Sequence, residues 1–242
     1  MTATPGGTTH RRTLRWQSAR VLAVHDETPH ARTFRLALPE PRPHLPGQHY
    51  VVRLTAEDGY TASRDYSIAS APDETGEIEL TVERLDDGEV SEFLHGVVEP
   101  GDELEVRGPI GGFFAWDGAG PALLVGGGSG VVPLMAMLRH ARRTGRADLV
   151  RLVVSARSPA DLYYAGELPG PEATVVYTRQ APPDAGRAAG RLALADVAPL
   201  VRGGETAYVC GSTGFADAAT TVLIEAGVPA GSIRVERFGP SG

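Results

Sequence analysis

The segment RDYSIAS at 64–70 sets a guanidinium, a phenol and two hydroxyls on a stretch that alternates like a strand. Alternation puts Arg64, Tyr66 and Ile68 toward one face and Asp65, Ser67 and Ala69 toward the other. Alone, it reads as a mixed strand near a sheet edge with its polar groups in water. Farther along, LLVGGGSGVVPLMAML runs from an apolar stretch straight into helical spacing. Gly126, Gly127, Gly128 and Gly130, with Ser129 among them, would let the backbone bend sharply and approach a pyrophosphate without Cβ clashes. The first amides of the following helix would face that anion, aided by the helix dipole. Val131 stands where a G-x-G-x-x-G turn would have its third glycine. The same valine breaks a G-x-S-x-G elbow, which makes Ser129 a poor nucleophile. In DDGEVSEFLHG, Ser91 is placed to cap a short helix, and the amides from Gly88 through Val90 to Ser91 offer a second phosphate site. Glycine turns and capped helices also occur without ligands. As a pair, one in each half, they imply two nucleotide ligands meeting at a domain boundary.

Composition removes several other chemistries. The formal net charge of −7 opposes general nucleic-acid binding, which needs a basic face to neutralise phosphates. Cys210 is the one cysteine, so neither an intramolecular disulfide nor a four-thiolate iron–sulfur cluster fits within this sequence. The seven histidines lack paired metal-ligand spacing, and no metal site is expected. All 23 basic residues are arginine, which excludes the phosphate-binding lysine of a P-loop and the Schiff-base lysine of pyridoxal enzymes. The longest apolar runs are too short to span a bilayer. Residues 1–13 have no apolar core ahead of a small-residue cleavage site, and they read as a flexible polar tail on a cytoplasmic protein.

The elements that must position these groups fall into two kinds. Up to residue 112 the pattern is period two: FRLAL alternates Phe34, Leu36 and Leu38, and EIELTVERL alternates Ile78, Leu80 and Val82. Turns rich in proline and glycine separate such stretches, SEFLHG is the single short helix, and an antiparallel barrel or sandwich follows. From Pro121 onward buried strands alternate with helical segments: PALLVGGG, VVPLMAMLRHARR, LVRLVVSAR, ATVVYTR, ETAYVCG, TGFADAATTVLIEAG and SIRVE. That alternation predicts a doubly wound α/β parallel sheet. The expected organisation is a barrel over 14–112, a linker at 113–120 and an α/β domain over 121–242.

In this order the motifs resemble the ferredoxin–NADP reductase superfamily across nearly the whole chain, from PGQ at Pro46 to the terminal ERFGP. RDYS, GEVS, GGGSGVVP and the Cys-Gly pair at 210–211 occur in the family's sequence, and four such motifs in order are specific where each alone is weak. The chain looks most like bacterial ferredoxin reductases and oxygenase reductase components, without the iron–sulfur domain. The resemblance implies an antiparallel β-barrel FAD-binding domain followed by a nicotinamide-binding domain. It places Arg64 on the flavin pyrophosphate, Tyr66 against the isoalloxazine, Ser67 near flavin N5, and Gly88, Val90 and Ser91 on the pyrophosphate. It puts Cys210 and Gly211 near the nicotinamide, and Glu236 and Phe238 at the closing acid and aromatic of the family. Ser212 stands where the family often has proline, and the chain runs four residues past Phe238.

Three residue types then suit one ligand: a planar guanidinium for phosphate, an aromatic face for a flat ring, a small donor for a ring nitrogen. The expected activity is hydride transfer from NADPH or NADH to FAD, then single electrons to a separate acceptor. That acceptor is expected to be a redox partner protein, such as a ferredoxin or an oxygenase component, or a small oxidant. NADPH is favoured over NADH because Ser155 and Arg157 follow one strand and Thr178 and Arg179 end the next, a set suited to a 2′-phosphate. The competing readings are a ferric or free-flavin reductase, a subunit of a larger electron-transfer complex, and a regulatory module that binds FAD and nicotinamide without turnover.

Overall fold

A computed structural model of the chain describes residues 14–238. The expected N-terminal tail at 1–13 and the last four residues lie outside it. Six strands form one antiparallel sheet: β1 (Gln17–Thr28), β2 (Ala31–Ala37), β3 (His49–Thr55), β4 (Thr61–Ser67), β5 (Glu77–Glu83) and β6 (Glu103–Ile110). Their order is β4-β3-β6-β1-β2-β5. The two edges meet in an antiparallel bridge between Ile68 and Leu80, which curls the sheet into a barrel. Its interior holds Phe34, Leu36, Tyr50, Ile78, Leu80 and Val106, the inward positions of the period-two strands. The short helix α1 (Glu89–Gly96) packs beside β4 and β5 and contributes Val90 and Leu94 to that interior.

Residues 113–120 run from β6 to the second sheet as a pinned segment. Phe114, Ala115 and Trp116 are buried, and the Trp116 N–H donates to Pro46 O at 3.0 Å. The second sheet is parallel, with β7 (Ala122–Gly127), β8 (Val150–Ala156), β9 (Ala173–Tyr177), β10 (Thr206–Ser212) and β11 (Ile233–Phe238) in the order β11-β10-β7-β8-β9. Read from the other edge this is the order 3-2-1-4-5 of a doubly wound nucleotide-binding sheet, with its switch point between β7 and β10. Helix α2 (Val131–Arg143) follows β7, the one-turn α3 (Leu194–Val197) precedes β10, and α4 (Thr213–Glu225) joins β10 to β11. The run of apolar residues in each central strand follows from cover on both faces.

The alternation of strand and helix is interrupted once. Between β8 and β9 the chain makes a 3-10 turn at Pro159–Asp161 and then an irregular loop. Proline and glycine at 159, 166, 169 and 170 oppose a helix there, and Tyr163 and Tyr164 are buried. The apolar cluster around α2 takes in Ala31 and Ala69 of the barrel, so the two sheets share a packed interface.

Candidate active site at the domain boundary

On β4, Arg64 is exposed, and its Nη1 donates to the neighbouring Ser63 O at 2.7 Å. No carboxylate pairs with it among the described residues. Tyr66 is half-buried against the barrel interior, and burial pushes its phenol well above the ordinary value. Ser67 is 6% exposed and pairs in register with His49 of β3. The strand therefore presents an exposed guanidinium without a carboxylate partner among the described residues, a partly open ring and a recessed hydroxyl in succession.

Helix α1 starts earlier than its sequence suggests. Gly88 occupies the N-cap position, so Ser91 is not the cap but a residue of the first turn. Its Oγ donates to Gly88 O at 3.0 Å and accepts from the Leu85 N–H at 3.1 Å. A Cβ on Gly88 would lie 2.4 Å from that Oγ, which is why glycine is needed there. The Val90 side chain is buried in the barrel interior. What Gly88, Val90 and Ser91 can offer a ligand is backbone: the Glu92 N–H to Gly88 O bond opens the helix, and the amides before it are helix-start donors.

In the parallel sheet, the glycine turn is read most clearly from what a side chain would hit. Gly126 and Gly127 belong to β7, and Gly128–Gly130 form a 3-10 turn that runs into α2. A Cβ on Gly130 would fall 2.1 Å from Cys210 O. One on Gly126 would meet Leu134 Cδ1 at 2.9 Å and Val131 Cα at 3.1 Å, so this glycine lets helix and strand pack closely. Gly128 differs: its φ is +56° and nothing lies within 4 Å of its missing side chain. It is exposed, with Ser129 half-buried beside it. That open, left-handed position over a helix start suits a pyrophosphate.

Cys210 of β10 is flanked in register by Gly126 of β7 and Glu236 of β11 and is fully buried. Burial, and then the neighbouring Glu236 carboxyl, hold its thiol well above the usual range. Glu236 is itself raised to about 7, by burial first and then by the Asp65 carboxylate. Its Oε2 is buried without a hydrogen-bond partner, an orphaned polar atom at the mouth between the sheets. Asp65 belongs to the RDYS strand, and Ala69, which follows that strand, packs in the same buried cluster as Cys210 and Phe238. Phe238 pairs with Ser212 and packs partly buried against the cluster containing Cys210. Ser212, where proline is frequent in the family, is the N-cap of α4, its Oγ accepting from the Phe215 N–H at 3.4 Å.

At the far end of the sheet, Ser155 is buried, and Arg157 and Arg179 are exposed. The Thr178 N–H donates to Ala156 O at 2.8 Å and the Arg179 N–H to Arg157 O at 2.9 Å, so the two arginine-bearing strand ends are held side by side. Asp161, the nearest acid, is engaged by Ser158 Oγ at 2.5 Å.

Three participants escape a reading by motif. Phe215 inserts its ring where side chains on Gly127 and Gly211 would sit, 2.7 and 2.6 Å from their built Cβ positions. Gly47 of the PGQ turn faces Phe114 O, where a Cβ would be 2.3 Å away, and so sets the approach of the two sheets. His49 brings Nε2 to 3.9 Å from Asp65 Oδ2, and burial lowers its pKa. Only the PGQ of PGQHY carried a signal in the sequence.

A barrel with a phosphate-ready strand and helix, joined to a 3-2-1-4-5 sheet with an open glycine turn, defines a two-domain flavin- and nicotinamide-binding oxidoreductase. The oxidoreductase FAD-binding domain family matches residues 18–114 and the oxidoreductase NAD-binding domain family matches residues 124–221. The chain is 30% identical over 230 residues to the ferredoxin–NAD(P)(+) reductase component of the naphthalene 1,2-dioxygenase system of Pseudomonas putida, covering 92% of this chain and 69% of that protein. The cytochrome P450 reductase GcoB of Amycolatopsis superposes with a TM-score of 0.77 at 30% identity, over 100% of this chain and 74% of that one. The FAD/NAD-binding domain of a nitric oxide dioxygenase from Vibrio cholerae superposes at 0.81 and 24% identity, over 93% and 99%. The chain belongs to the ferredoxin–NADP reductase superfamily, and it is an FAD-dependent NAD(P)H oxidoreductase.

Proposed function

We propose that the protein takes reducing equivalents from NADPH in preference to NADH and delivers electrons singly to a separate protein, an iron–sulfur or oxygenase component. FAD, when bound, supplies the exchange between two-electron hydride chemistry and one-electron transfer. The chain's residues orient, cover and charge-match the two nucleotides. Residues 14–112 hold FAD, with Arg64 on the pyrophosphate beside the amides of Gly88, Val90 and Ser91, Tyr66 along the ring, and Ser67 at its reactive edge. Residues 121–242 hold the coenzyme, joined through 113–120. Gly127, Gly128, Ser129 and Gly130 receive its pyrophosphate, and Cys210 and Gly211 border the nicotinamide. Ser155, Arg157, Thr178 and Arg179 surround its 2′-phosphate. Glu236 and Phe238 close the site.

The single observation that carries this reading is that Ala69, two residues past Ser67, shares one buried apolar cluster with Cys210, the register partner of Glu236. It joins the barrel's motif to the sheet's at one point. The acceptor follows from kinship: the P. putida relative is a reductase component of an oxygenase system. Released cofactor identified by mass should be FAD, and anaerobic NADPH should bleach the bound flavin with higher catalytic efficiency than NADH in ferricyanide reduction. FMN as the sole flavin, or no bleaching by either coenzyme, contradicts the assignment. Higher efficiency with NADH removes the 2′-phosphate pocket alone.

A further inference from the structure

Behind the site, one closed ring of hydrogen bonds crosses between the domains. Thr33 Oγ1 of β2 donates to Glu27 Oε1 at 2.7 Å and lies 2.7 Å from Thr81 Oγ1 of β5. Thr81 Oγ1 lies 2.6 Å from Tyr164 Oη, and the Tyr164 N–H donates to Glu27 Oε2 at 3.1 Å. A hydroxyl has one proton, so the directions are fixed. The Thr33 proton goes to the carboxylate, Thr81 must then donate to Thr33, and Tyr164 must donate to Thr81. Burial holds the Tyr164 phenol far above its ordinary value, which keeps that proton in place.

Tyr164 achieves this in the left-handed region, at φ 55°, while 3% exposed. A buried aromatic residue adopts that backbone only when its surroundings impose it. Arg139 of α2 completes the junction. Its Nη1 donates to Ala69 O at 2.9 Å and to Glu79 Oε2 at 2.8 Å, its Nη2 donates to Glu167 Oε1 at 2.5 Å, and its guanidinium lies 4.8 Å from the Tyr164 ring centre. The anchor points are informative. Ala69 is two residues past Ser67, α2 begins at the glycine turn, and Tyr164 is seven residues past Arg157 on the same loop.

We propose that Tyr164 and Arg139 are positioning residues, a clasp that fixes the coenzyme-carrying turn and loop against the strand of Ser67 and so sets the alignment of donor and acceptor. This rests on the functional reading above. A clasp that only added stability would change melting temperature and leave the reaction at saturating coenzyme untouched.

The test compares Tyr164→Phe and Thr81→Val, each deleting one hydroxyl, with the parent holoenzyme. Both variants should keep FAD and keep the NADPH KM within about 2-fold. Flavin reduction at saturating NADPH should slow roughly 5-fold or more, with an altered isotope effect from 4-deuterated coenzyme, since small misalignments of reacting groups carry costs of this order or larger. Hydrogen exchange of segments 157–170 and 67–71 should rise together in either variant, a readout that does not depend on turnover. Parental reduction rates in both variants overturn the proposal. If the parent is not reduced by NADPH at all, the functional reading fails instead. The clasp is then judged by exchange, and unchanged protection in both segments refutes it.

Discussion

The two regions proposed to hold the nucleotides are built in opposite ways. On β4 of the barrel, Arg64 and Asp65 stand in solvent, and Ser67 is recessed with its neighbours arranged around it. In the parallel sheet, Gly126, Gly127, Gly130 and Gly211 leave no room for one more carbon, because Leu134, Phe215 and the Cys210 backbone already fill the space. The barrel offers what its side chains reach. The sheet offers what its backbone leaves bare, and of the four glycines at 126, 127, 128 and 130 it is Gly128 that has open space at its missing side chain.

The sharpest way to break this contrast is to exchange one residue on each side. Gly130→Ala places a methyl 2.1 Å from Cys210 O with backbone on both sides, so it should abolish soluble folded protein or lower its melting temperature severely. Arg64→Ala should instead leave the melting temperature of the apoprotein unchanged and weaken FAD retention at least about 10-fold, as expected for loss of a charge-assisted phosphate contact. Thermal unfolding and flavin release measured on both variants check the pair. Equal effects on fold would dissolve the distinction.

A smaller effect comes from the point where the regions meet. Glu236 is raised to about 7 by burial and by Asp65, against an ordinary value of 4.5. The native state then holds a proton that the unfolded chain releases, so this group's contribution to stability is complete below pH 4.5 and is lost as pH rises through about 7. Glu236→Gln should therefore raise the melting temperature at pH 8 by about 2–4 °C, the shift that about 1 kcal/mol produces in a chain of this size, and leave it unchanged at pH 4.5. Melting curves across that range decide it.

The same contrast explains what the sequence disclosed. The strand that carries Arg64, Tyr66 and Ser67 and the glycine turn from β7 into α2 are legible as elements, from alternation and from glycines at a strand-to-helix junction; the ligands given to them are the proposal above. The strands were legible from periods set by cover on one face or both. Ser91 was misplaced as a cap because Gly88 and Leu85 claim its hydroxyl in an interaction that no spacing rule encodes. The burial of Tyr164 in the loop between β8 and β9 depends on contacts between residues more than 130 apart in sequence, such as Tyr164 with Glu27. Phe215 fits against Gly127 and Gly211 only after the sheet has formed.

The central claim is that reaction takes place between the Ser67 end of β4 and the ends of β10 and β11. Stopped-flow reduction of the bound flavin by NADPH, under anaerobic conditions, in Ser67→Ala and Cys210→Ala tests it directly. Both variants should retain FAD and fold, and both should be reduced roughly 10-fold more slowly than the parent, as loss of a group that aligns the reacting atoms entails. Reduction at the parental rate in both would place the reacting centre elsewhere.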